Sequence, residues 1–178
     1  MGVAEQLGNV RGSSVVPRVE ISVVPIGPRV VERPYLVRGG RRDPEDRDLL
    51  HTALREAEEE VGLAPGMVEV VGPLSSLVSV HGIHVTPYVG LVPDYVEYRA
   101  NDAEIASVFS VPLEFFCEDP REVTHRIDYQ GRSWYVPSYR YGEYKIWGLT
   151  AIMIVELINL LYDAKISLHQ PPKSFINI

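Results

Sequence analysis

Three glutamates, Glu56, Glu59 and Glu60, stand at positions i, i+3 and i+4. On a helix this spacing brings their carboxylates onto one patch, where like charges repel by a few tenths of a kcal/mol per pair. A hard divalent cation would offset that repulsion, because Mg²⁺ takes one or two carboxylates, keeps waters and binds substrate phosphates with its remaining positions. A glutamate-rich helix face is most often simply solvated, so the acidic patch by itself does not establish a metal site.

The patch needs a helix to carry it. Leu50, Ala53, Leu54, Ala57 and Val61 recur at i, i+3, i+4, i+7 and i+11, which predicts a helix from about Leu49 to Val61 with a narrow apolar stripe facing a core. Asp43 and Asp48 are both competent N-caps, and the start is placed near Asp48. Gly62 follows the last turn, where a left-handed residue caps a helix. Ahead of the helix lie Gly39, Gly40 and a charged loop, Arg41-Arg42-Asp43-Pro44-Glu45-Asp46. The two glycines let the backbone approach a metal or phosphate closely.

Gly40 to Leu63 resembles the Nudix box, the signature of the Nudix hydrolases, written G-x5-E-x7-R-E-U-x-E-E-x-G-U with U aliphatic. The second half matches at every position, from Arg55, Glu56 and Ala57 through Glu59, Glu60, Val61, Gly62 and Leu63. The first half departs twice: Asp46 replaces the family's Glu, and eight residues rather than seven separate it from Arg55. The longer spacing resembles the coenzyme A diphosphatase branch, whose box begins GGxxDPxD and runs into TALREAxEEVGL, as Asp43, Pro44, Asp46, Thr52 and Ala53 do here.

The chain has 178 residues, enough for one domain with a substantial core. Seventeen basic against twenty-four acidic residues give a net charge of -7, which argues against general nucleic-acid binding, although a local basic patch could hold phosphates. Cys117 is the single cysteine and lies in the apolar run LEFFC, so a small buried thiol and a reducing cytoplasm are expected. The first residues show neither a basic region nor a continuous apolar core of a secretory signal. The most apolar run, Ile146 to Tyr162, is short for a membrane span and contains Glu156, so no membrane association is expected. The final residues are not a peroxisomal Ser-Lys-Leu tail.

Before the box, Val19 to Val23 alternates like a strand among Pro17, Pro25, Pro28 and Pro34. The coenzyme A branch carries a second signature here, L-L-T-x-R followed by H-x-G-Q and F-P-G-G, of which only the glycines survive. The likeness resumes abruptly at Gly39, so residues 1–38 are read as an atypical segment, replaced or frame-altered, with the domain proper at 39–163 and a C-terminal arm at 164–178. After the box, strands are expected at Met67–Gly72, Leu74–Val80 and His84–Val92, with a turn at His81-Gly82-Ile83. His81 and His84 could be ligands or general bases, but turn and strand-end histidines are more often ordinary surface or packing residues, and no role is assigned to them. Glu104, in the loop ahead of an expected strand at Ser107–Pro112, is a candidate further metal ligand or base, or simply a charge that orients its loop.

Aromatic residues crowd the stretch from Tyr129 to Trp147, and Gln130-Gly131 between extended runs predicts a hairpin. One or two rings could stack on an adenine, while most are expected to pack against the core. His125, Arg126 and Arg132 could hold a 3′-phosphate, or be solvated rim charges. The opening Trp147-Gly148-Leu149-Thr150-Ala151 of the last expected helix again resembles the coenzyme A branch.

The resemblance implies an α/β Nudix fold, an α/β/α sandwich with a mixed β-sheet, and attack of a metal-activated water on one phosphorus of a P–O–P bridge. It implies Mg²⁺ or Mn²⁺ on Glu56, Glu60 and Glu59, with Glu59 either a ligand or the acceptor of the water proton. Arg55 is implied to pair with an acid of the box loop. Gly39, Gly40, Arg126 and Glu104 are weak candidates for substrate contacts, Arg126 from its residue chemistry alone. The implied substrate is a small nucleoside diphosphate, coenzyme A or its acyl derivatives, and a homodimer is compatible with the family. Two other readings stand beside this: a diphosphatase for an ADP-sugar or dinucleotide, and a non-catalytic nucleotide-binding domain that kept the box and lost its pocket.

Overall fold

The computed structural model describes residues 22–24, 33–35, 37–38, 43–79, 82–93, 96–99, 101, 108–129 and 131–172. Gly39, Gly40, His81 and Glu104 lie outside the described residues. The chain divides into two compact units, Met1–Pro112 and Leu113–Ile178. Both mix helix and strand or flank them closely in sequence, so the class is α/β.

The first unit contains the short strands β1 (Ser22–Val24), β2 (Arg33–Tyr35) and β3 (Val37–Arg38), the helix α1 (Leu49–Val61), and β4 (Glu69–Pro73), β5 (Leu77–Val78), β6 (His84–Val85) and β7 (Pro87–Leu91). The strands pair as β1-β2, β3-β7-β4 and β5-β6, and each of these pairings is antiparallel. The expected strand over Leu74–Val80 is thus reduced to Leu77–Val78, and a 3₁₀ turn at Pro65–Met67 occupies the start of the first expected strand. Residues 108–112 form no strand, correcting the expectation for Ser107–Pro112; Pro112 cannot donate to a ladder, and a 3₁₀ turn follows at Leu113–Phe116.

α1 begins and ends where its capping residues dictate. Asp48 is the N-cap, and its carboxylate accepts the His51 N–H. At the other end Gly62 adopts φ +69°, its N–H reaching the Glu58 carbonyl at 2.9 Å while the Leu63 N–H reaches Ala57 O at 3.3 Å. Further along, Arg99 N–H and Asn101 N–H donate to the carbonyls of Val61 and Glu60, both at 2.8 Å, satisfying acceptors that a helix end leaves open. The apolar stripe packs Ala57, Val61 and Leu63 against Met67, Val68, Val92, Val96, Tyr98 and Val108.

The second unit is built on a long hairpin, β8 (Arg121–Tyr129) and β9 (Arg132–Tyr141), extended by β10 (Tyr144–Ile146) in the order β10-β9-β8. Tyr129 faces Arg132 across a two-residue turn, where Gly131 supplies φ +75°. The helix α2 (Gly148–Tyr162) packs on β9, burying Ala151, Met153, Ile154, Val155, Leu157 and Ile158. Several rings pack as core residues do: Phe116 meets Tyr139 edge-on at 5.1 Å and Phe115 meets Tyr141 at 5.1 Å. Beyond α2 the chain folds back on the hairpin. Asn159 brackets Ile166 with two 2.9 Å hydrogen bonds, Tyr135 N–H donates to Leu168 O at 2.8 Å, and His169 lies against Trp134 with ring centroids 4.4 Å apart.

Replacing Gly62 by alanine tests the α1 cap. An added Cβ would sit 3.4 Å from the Arg99 Cβ in a left-handed conformation, so Gly62→Ala should lower unfolding stability by about 1–2 kcal/mol in urea denaturation.

Candidate active site

The loop before α1 is folded on itself by one side chain. Asp43-Pro44-Glu45-Asp46 is a turn with Asp first and Pro second, closed by the Asp46 N–H on the Asp43 carbonyl at 3.0 Å. The Asp46 carboxylate returns the contact, its Oδ2 accepting the Asp43 N–H at 3.0 Å. That carboxylate is buried, with 1% of its side chain exposed.

Arg55, two turns into α1, forks onto it: Nε donates to Oδ1 at 3.1 Å and Nη2 to Oδ2 at 3.0 Å. The same guanidinium gives Nη1 to Glu59 Oε2 at 2.8 Å, one turn further along, and lies 3.6 Å from the Asp43 carboxylate. His51 adds a further contact, with Nδ1 2.9 Å from Asp46 Oδ1. The Arg55 guanidinium holds the Asp46 carboxyl well below the usual carboxylate range, against the opposing pull of burial; the Asp43 N–H, His51 and the Thr52 hydroxyl help. Asp46 is therefore ionised, and the His51 Nδ1–H is the donor. Arg55 is correspondingly pushed above its ordinary value, chiefly by Asp46.

The helix sorts the three glutamates into two kinds. Glu56 and Glu60 follow Thr52 along the same i, i+4 row; Thr52 and Glu60 are buried, Glu56 is half-buried and its Oε2 is shielded from solvent. Glu59 lies on the neighbouring row with His51 and Arg55, its side chain 58% exposed and bound to Arg55. Among the described residues no three His, Cys, Asp or Glu side chains come together as a group that could hold a metal. The donor chemistry nevertheless suits a hard cation at Glu56 and Glu60, two carboxylates one turn apart, which is the number Mg²⁺ commonly takes from protein.

The comparisons with known proteins agree with this architecture. Residues 28–128 match the NUDIX domain family. The chain belongs to the Nudix family. Two relatives, each named an uncharacterized Nudix hydrolase NudL, come from Yersinia pestis (strain Pestoides F) and Yersinia pseudotuberculosis serotype O:1b (strain IP 31758). Each is 44% identical to this chain over 119 residues, covering 67% of this chain and 60% of the relative. The chain thus spans about three fifths of the length of these relatives.

Two other residues singled out in the sequence belong to the second unit. Arg126 belongs to the second unit, where it is half-exposed and engages Asp128 and Ser133, each at 3.3 Å. His125 lies beside Trp147 with its Nε2 buried, and burial, then the Lys145 charge, lowers its pKa. Lys145 in turn covers the Trp147 ring at 5.0 Å. Sequence reasoning missed His51 within the Nudix box. Its signal was present: His51 and Arg55 stand at i, i+4, so two donors on one helix face reach a single acid of the preceding turn.

A carboxyl held below its ordinary value of 3.8 contributes stability that is present above that value and lost as pH falls through the folded-state value. Asp46→Asn should therefore melt several degrees below the parent at neutral pH. The difference should shrink as pH drops below 3.8, which thermal melts across the acid range would show.

Proposed function

We propose that this chain hydrolyses the diphosphate bridge of a nucleoside diphosphate derivative in a metal-dependent reaction. Coenzyme A or an acyl derivative is the substrate, cut to 3′,5′-ADP and (acyl-)4′-phosphopantetheine. The observation that carries the reaction class is the sorting of the Nudix-box glutamates: a shielded pair, Glu56 and Glu60, beside a third carboxylate, Glu59, held by Arg55.

Glu56 and Glu60 would hold Mg²⁺ or Mn²⁺. When bound, such an ion lowers the pKa of a water and neutralises charge growing on phosphoryl oxygens. Arg55 occupies Oε2 of Glu59 and leaves Oε1 to accept the proton of the attacking water, a role within reach of a positioned carboxylate. The Asp46 contact keeps Arg55 in place for this. Gly39 and Gly40 are assigned to close backbone approach to the phosphates, Glu104 to a further ligand or base, and Arg126 to the 3′-phosphate. These four assignments rest on the family motif and residue chemistry.

The substrate assignment is supported by Asp43, Pro44, Asp46, Thr52 and Ala53 in the box, and independently by the Trp147-Gly148-Leu149-Thr150-Ala151 opening of α2. One observation favours a second reading, a diphosphatase for an ADP-sugar or dinucleotide: the upstream branch signature is missing before Gly39. A reducing cytoplasm suits the lone Cys117, whose thiol is pushed up, chiefly by burial.

Product analysis with coenzyme A, with and without Mg²⁺ or Mn²⁺, tests the reading. 3′,5′-ADP should appear only with metal, and Glu60→Gln should slow its release by about a hundredfold or more. Turnover of ADP-ribose or a dinucleotide with coenzyme A untouched would favour the second reading. No hydrolysis of any of these by folded protein would contradict both.

A further inference from the structure

We infer that His51 is a positioning residue: its Nδ1–H fixes the Asp46 carboxylate, and through Arg55 it sets where the Glu59 carboxylate stands. This rests on the catalytic role proposed for Glu59. The observation behind it is the distribution of donors on Asp46. Oδ2 takes the Asp43 N–H and Arg55 Nη2, each at 3.0 Å, while Oδ1 takes Arg55 Nε at 3.1 Å and His51 Nδ1 at 2.9 Å. The terminal torsion of an aspartate is broad and poorly self-determined, so the plane of its carboxylate is set by what binds it. A two-pronged contact with a guanidinium requires that plane to match the fork. The Asp43 N–H pins one oxygen from the loop side, and His51 pins the other from the helix side.

His51 is well placed to do this. Its own N–H is anchored on the Asp48 carboxylate at 2.8 Å, which fixes the root of the ring at the first turn of α1. A contact open to solvent on both sides would contribute little, but here the acceptor is buried while the imidazole is 40% exposed. The relay His51, Asp46, Arg55, Glu59 then runs from the first turn of the helix to the third, ending in the 2.8 Å contact between Arg55 Nη1 and Glu59 Oε2. Because His51 is outside the apolar core, removing its ring should leave the fold intact.

The test compares the full chain with His51→Leu, His51→Asn, Glu59→Gln and the double variant His51→Leu/Glu59→Gln. Steady-state kinetics with coenzyme A and Mg²⁺ are combined with the side-chain Nε–H signal of Arg55 in NMR spectra. Asparagine can present an amide N–H where the imidazole Nδ1 stands. His51→Leu should lower kcat about tenfold at nearly unchanged KM, His51→Asn should recover most of it, and His51→Leu should cost nothing further once Glu59 is already glutamine. The Arg55 Nε–H signal should be protected from exchange in the parent and in His51→Asn, and lost in His51→Leu. A parental kcat in His51→Leu, a full additional loss on the Glu59→Gln background, or an unchanged Arg55 signal would each overturn the inference. If the parent hydrolyses no diphosphate, the reaction reading fails separately. The Arg55 signal then decides alone whether His51 holds the relay: its loss in His51→Leu supports the hold and its persistence refutes it.

Discussion

The forked contact between Arg55 and the buried Asp46 carboxylate ties the loop before α1 to the helix that follows it. Burying a carboxylate is costly, and a buried pair is not by itself evidence of net stabilisation. Its consequence here is geometric. Asp46 closes its own turn through the Asp43 N–H, so the loop cannot move without disturbing Arg55, and Arg55 cannot move without releasing Glu59. Removing Arg55 would leave the Asp46 carboxylate buried without its guanidinium, whereas Arg55 without Asp46 keeps Glu59 as a partner.

The helix divides three glutamates which the bare sequence presents as one patch, and Arg55 holds one of them. Spacing at i, i+3 and i+4 is compatible with convergence of all three, yet the helix sets Glu59 on the row of His51 and Arg55, where Arg55 binds it, and Glu56 and Glu60 on the more shielded row. At Glu59 the like-charge repulsion is met within the chain by Arg55. A fixed guanidinium compensates one carboxylate, and a hard divalent ion on the other two is the proposed complement.

Much of the first unit's helix was legible because its signals are local. Asp48, the apolar stripe and Gly62 each act within a turn or two, and they bound α1 as Leu49–Val61. The hairpin about Gly131 was legible for the same reason. What failed depends on which residues find a ladder partner or become buried, which local pattern leaves open. Val alternation around Leu74–Val80 promised a longer strand than the two residues that find a partner in β6, and residues 108–112 make no ladder. His51 is legible only in part: its i, i+4 spacing to Arg55 sets two donors on one face, while the burial of their shared acceptor, Asp46, is not written in local periodicity.

The second unit shows how the same limits apply to aromatic residues. Density from Tyr129 to Trp147 could signal a stacking site or a core, and Tyr139 decides for core at its own position: it is fully buried against Phe116 and donates its hydroxyl to Asp119 at 3.1 Å. For the chemistry, the central claim is that Glu56 and Glu60 form the proposed metal-holding pair, apart from a third carboxylate, Glu59, positioned by Arg55. Mn²⁺ titration followed by electron paramagnetic resonance, on the parent and on Glu56→Gln, Glu60→Gln and Glu59→Gln, tests this most directly. The account predicts that the parent binds the ion, that loss of Glu56 or Glu60 weakens binding about tenfold or more, and that Glu59→Gln stays near the parent. No Mn²⁺ binding by the parent, or equal weakening in all three variants, would contradict it.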